Sequence, residues 1–103
     1  MNSMESIIRT IEKGQQLGKR FSFIKDKKII WSSIGIQKYN GNYKVYVDEI
    51  EEGKMSDGEY AREDIKVFNT ISEAFDFISQ TTTISWNQLS YCKGQKIFNP
   101  DFD

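Results

Sequence analysis

The sequence predicts an α+β fold: an antiparallel sheet of about four strands, with an N-terminal helix and C-terminal helices packed on one face. Three observations predict it. The first dozen residues repeat apolar side chains at helical spacing, and the middle of the chain alternates at period two around an Asn-Gly turn. Residues 70–89 then carry two helix-start signatures in succession. At 103 residues the chain reads as one domain, 1–103, with no repeat, linker or low-complexity tract.

Met4, Ile7, Ile8 and Ile11 follow the i, i+3, i+4, i+7 rule, so an amphipathic helix is expected from about residue 3. Ser3 is its expected N-cap, Gly14 weakens it, and Gly18 is the expected stop. Phe21 and Phe23 in "RFSFI" share one side of a first strand, and "KDKK" makes a charged turn. "IIWSSIGIQKY" is a longer second strand with Ile30, Ile34 and Ile36 on one face. "NGN" at 40–42 predicts a type I′ hairpin, because that turn needs positive φ at both central residues. The returning strand alternates Tyr43, Val45 and Val47 against Lys44, Tyr46 and Asp48, and "DIKVF" supplies a fourth strand with Ile65 and Val67 together.

Thr70 and Glu73 stand at capping-box spacing before a stripe of Ile71, Ala74, Phe75 and Ile78. Ser85 and Gln88 repeat that spacing, with Ile84 and Leu89 at the positions of a hydrophobic staple, so a second, short helix is expected. Ile97 and Phe98 are the expected anchors of the tail before Pro100.

Composition excludes several classes. Seven Phe, five Tyr and two Trp argue against disorder. No apolar run is long enough to span a bilayer, and Glu5, Arg9 and Glu12 interrupt any signal-like core, so a cytoplasmic protein is expected. Cys92 is the one cysteine, which rules out an intrachain disulfide and fits a reducing compartment. Histidine is absent, which removes His-based acid–base and nucleophile chemistry and the commonest metal ligand. The carboxylates of "DEIEEGKMSDGE" lack the spacing of a calcium loop, and no phosphate-binding glycine motif occurs. No enzymatic activity, cofactor or metal is expected.

Charge is distributed unevenly: net +6 over residues 1–47, −6 over 48–64 and −1 over 65–103. The central block holds Asp48, Glu49, Glu51, Glu52, Asp57, Glu59, Glu63 and Asp64, with Tyr43 and Tyr46 just before and Tyr60 inside. A polar loop between strands explains part of this. Carboxylates with tyrosines also imitate the charge of a phosphate backbone, and together they suit a basic protein partner. A different class of reading uses the segment 19–31, where Lys19, Arg20, Lys25, Lys27 and Lys28 flank Phe21, Phe23 and Trp31. Bases among aromatics serve single-stranded RNA. Period-two placement of the two Phe residues instead favours a core role, and nucleic acid is not the expected partner.

The C-terminal third, "TISEAFDFISQTTTISWNQLSYCKGQKIFNP", resembles the end of small bacterial immunity proteins of contact-dependent growth-inhibition systems. The shared features are the "SEAFDFI" helix, the "ISW" helix start and the closing "KGQKIFNP". The resemblance implies a cytoplasmic, non-enzymatic inhibitor that binds a cognate toxin C-terminal domain, often a nuclease with a basic cleft. These motifs are structural, so the resemblance assigns no contact residues.

Overall fold

In a computed structural model of the chain, residues 4–54, 60–91, 97–98 and 100 are described. Helix α1 (Met4–Glu12) is followed by β1 (Leu17–Lys25), β2 (Lys28–Tyr39), β3 (Asn42–Glu51), β4 (Arg62–Phe68), helix α2 (Ile71–Thr81), a 3-10 turn (Trp86–Gln88) and β5 (Ser90–Tyr91). The sheet is antiparallel throughout, in the order β4-β3-β2-β1-β5. The α+β fold therefore has the expected four strands plus a fifth. β5 is only two residues long, too short to show any periodicity. No described helix is long and apolar enough to cross a membrane.

Local chemistry explains the turns. Asn40 and Gly41 sit at φ 51° and 82°, the pair of left-handed residues that a type I′ turn requires. The β1–β2 turn has the same form, with φ 51° at Asp26 and 65° at Lys27. Lysine gains nothing there from a small or polar side chain. Helix α1 stops earlier than Gly18: Gly14 takes φ 88° and its N–H donates to the Ile11 carbonyl. Gly14, not Gly18, is thus the left-handed C-terminal residue, and Gly18 lies inside β1. The expected cap Ser3 lies outside the described residues. At α2 the Thr70 hydroxyl accepts from the Glu73 N–H at 3.2 Å and donates to the Glu73 carboxylate at 2.9 Å. Ser85 N–H donates to Gln88 Oε1 at 2.9 Å, so the second box forms as a single 3-10 turn.

Strand alternation gives the sheet two different faces. On the helix face, Leu17, Ile34, Ile36, Tyr43, Val45 and Val47 pack with Ile7 and Ile11 of α1 and with Ala74 and Ile78 of α2. Ile84 and Leu89, the staple pair, close the same cluster. The C-terminal segment crosses the second face. Phe98 stacks on Tyr46 with ring centroids 5.5 Å apart and lies over Gly35, where a Cβ would meet the Phe98 ring at 3.0 Å. That approach is what Gly35 permits in mid-strand. Gln16 fastens the segment by accepting from Ile97 N–H at 2.8 Å and donating to the Phe98 carbonyl at 2.8 Å. Gln37 accepts from Gln16 at 2.9 Å, and buried Lys44 donates to the Pro100 carbonyl at 2.7 Å. Ile65 and Val67 do share a face, but it is this second one.

Cover at the far end of the strands is uneven: Ile30 on the helix face and Ile50 on the second are buried, whereas Ile24, Ile29 and Trp31 on the second are exposed. Twelve-residue β2 is about 40 Å long, whereas eleven-residue α2 is about 16 Å. The end of α2 reaches as far as a cleft lined by Phe21, Phe23 and Lys25, and the distal half of the sheet, beyond Lys19, Ser33 and Asp48, carries the charged segments singled out above.

Candidate partner-binding surface

The six described carboxylates of 48–64 all lie on the β3–β4 hairpin, at one edge of the sheet and at its distal end. Asp57 and Glu59 lie outside the described residues. Pleating then divides the six. Glu49, Glu51 and Asp64 point to the helix face, and Asp48 and Glu63 to the other, because neighbours along a strand alternate. Glu52 is exposed in the turn that follows β3.

The helix-face carboxylates already hold cations of this chain. Arg62 reaches Asp64 at 2.7 Å and Glu49 at 3.6 Å, and Lys28 and Lys54 reach Glu51 at 3.2 and 3.7 Å. The Arg62 hydrogen bond holds the Asp64 carboxyl below the usual carboxylate range. Lys28 comes from the basic β1–β2 hairpin, so folding brings the positive and negative blocks together at one end rather than separating them into a dipole.

Asp48 and Glu63 differ. They are direct cross-strand partners, two like charges facing each other, which by itself destabilises a strand pair. The Tyr46 hydroxyl lies between them, 3.0 Å from Asp48 Oδ2 and 2.8 Å from Glu63 Oε2. A phenol has one proton, so it can donate to only one of the two at a time. Asp48 Oδ1 also accepts from Ser33 N–H at 2.7 Å. Burial pushes the Asp48 carboxyl up, against the pull of its hydrogen bonds to Tyr46 and Ser33. Burial, then the bond to Glu63, keeps the Tyr46 phenol protonated far above the ordinary tyrosine range.

The three tyrosines part company. Tyr46 is 8% exposed and Tyr43 9%, so neither offers the packing area expected of an interface aromatic. Tyr43 pairs with Lys38 and Phe68 at the proximal end, away from the acids, and its hydroxyl donates to Glu12. That bond, with Lys38 2.9 Å from the same carboxylate, holds Glu12 below the usual carboxylate range. Tyr60 is 49% exposed and, with Glu51, Lys54 and Ala61, lines a hollow of ≈ 100 Å³. Of the proposed tyrosines, Tyr60 alone is available to a partner.

The basic segment is also divided. Phe21 and Phe23 stack at 6.2 Å on the helix face, half-buried, where they line a cleft of ≈ 230 Å³ with Lys25, Glu49 and the end of α2. Trp31 points to the other face and is 40% exposed, so it is not core, and it does not form one stacking platform with the phenylalanines. Sequence reading missed the exposed group Ile24, Ile29 and Trp31 on that second face. The signal was present: Ile24 and Ile29 stand on either side of the four-residue segment "KDKK", and their alternation is opposite to that of Phe23 and Ile30. Among the described residues no group of three or more His, Cys, Asp or Glu is placed to hold a metal ion. No protein-family model, curated protein or solved structure matches the chain.

Proposed function

We propose that this chain is a non-enzymatic immunity protein of the cytoplasm that neutralises a basic toxin domain, a nuclease by preference, with the acidic end of its β3–β4 hairpin. The observation behind the reading is the Asp48–Glu63 pair, two facing carboxylates that share one phenol proton. A cation supplied by a partner would relieve their repulsion, and the relief would add to the energy of binding. Glu52 and Tyr60 extend the same exposed edge. Glu49, Glu51 and Asp64 would have to exchange Arg62, Lys28 and Lys54 for the partner's cations, so their share in affinity is smaller.

The test is protection of a host that expresses a basic nuclease toxin domain retained by the tagged chain in a pull-down. The wild-type chain should restore growth, and Asp48→Lys/Glu63→Lys should abolish the rescue while circular dichroism stays unchanged. Full rescue by that variant would contradict the reading. Exposed Trp31, one row of the sheet from Arg20, favours a second reading, the binding of single-stranded RNA. A pull-down in which nuclease treatment removes everything retained would support the second reading against the first.

A further inference from the structure

We propose that the exposed apolar patch at the distal end of the second face docks a further copy of this chain, face to face, about a two-fold axis. Three of the six large apolar side chains exposed among the described residues fall in this one patch. Ile24 is 76%, Ile29 41% and Trp31 40% exposed. They are neighbours by register: Ile24 pairs with Ile29, and Trp31 follows on the same side of β2, opposite Ile50 of β3. An apolar centre of this kind with a charged margin is the usual anatomy of a protein interface, and a tryptophan is its commonest anchor.

The margin identifies the occupant. One row across the sheet runs Arg20, Ser33, Asp48, Glu63, from β1 to β4. It is cationic at one end, small in the middle and anionic at the other. A two-fold axis along the strands, between β2 and β3, sets β1 of one copy over β4 of the other, as in aligned sheet packing. Each Arg20 then faces the other copy's Glu63, each Trp31 lies over the other copy's β3 at Ile50, which is itself only 8% exposed, and the serines leave room for close approach. The charge pattern is complementary to itself: Arg20 already attracts Asp48 of its own copy along the row, and the two-fold axis sets it against Glu63 of the other copy as well.

Area sets the strength. Three strands about 4.8 Å apart over five residues of about 3.4 Å, with the first two residues of β4, make a patch of roughly 300 Å² in projection. Standard interfaces cover about 800 Å² per partner, so this dimer is weak and depends on concentration.

Sedimentation velocity of the full chain, from low-micromolar to near-millimolar concentration, tests the proposal without any partner protein. It is independent of the toxin reading because the probe is the chain itself. The wild-type chain should move toward the dimer as concentration rises. Arg20→Glu and Glu63→Arg should each weaken association by about tenfold or more through like-charge contact, and the combined Arg20→Glu/Glu63→Arg chain should recover it. Ile24→Lys, at a position too exposed to disturb folding, should weaken it as well. A monomer at every concentration would overturn the proposal and leave the face to another occupant. So would a dimer indifferent to all three single changes, or a double reversal as weak as either single one.

Discussion

Along β2, Ile34 and Ile36 are fully buried, whereas Ile29 and Trp31 are 41% and 40% exposed. All four belong to one continuous strand with the same neighbours, β1 and β3. The difference lies in what covers the sheet. In the proximal half, helices cover one face and the C-terminal segment covers the other, and Gln16, Gln37 and Lys44 satisfy the polar groups that this burial creates. In the distal half the helix face still buries Ile30, 7% exposed, whereas Ile29 and Trp31 on the second face lie open. One strand can thus supply core along one face and an exposed apolar patch at the distal end of the other.

Four substitutions break or sharpen that contrast. Ile34→Ala removes a fully buried side chain from the centre of the core and should cost about 3 kcal/mol, measured by urea unfolding. Gly35→Ala should cost about 1–3 kcal/mol, because the new methyl meets a Phe98 ring that is itself stacked on Tyr46. It should also free the C-terminal segment for limited proteolysis, a result that Ile34→Ala would not give selectively.

Asp48→Asn should do the reverse and stabilise the fold by about 0.5–1 kcal/mol at neutral pH by ending the like-charge pair. The sign follows from the direction of its shift. The folded carboxyl titrates higher than the unfolded one. Its contribution is therefore full below the unfolded value of about 4 and is lost as pH rises through the folded value. The advantage of Asn should accordingly vanish in acid, which denaturation at two pH values would read. Ile24→Thr, in the exposed patch, should move stability by less than about 0.5 kcal/mol despite removing an isoleucine.

Much of the fold was legible because its signals are local. The Asn40–Gly41 turn, the Thr70 cap, the Ile84–Leu89 staple and the period-two faces of β2 and β3 all stand as their residues predict. The end of α1 was misplaced because Gly14 and Gly18 are equally permissive in sequence, and only the hydrogen bond to Ile11 distinguishes them. The segment at Phe98 could not be located, since its partner Gly35 is sixty-three positions away.

The candidate site was half legible. The density of acids at 48–64 is obvious in sequence, and period two already implies that Asp48 and Glu49 part to opposite faces. Which acids would find cations depended on tertiary pairing. Lys28 reaches Glu51 only because β2 lies beside β3. The same alternation that placed Val45 and Val47 inward turned Tyr46 outward, where Phe98 then covered it.

Native-state hydrogen exchange along β2 tests the division of the sheet most directly. Amides of Ile34 to Gln37, beneath both covers, should exchange only through global unfolding. Those of Lys28 to Trp31 should exchange through local opening at a markedly lower free energy. Uniform protection from Lys28 to Gln37 would contradict the account, because the distal half would then share the stability of the core.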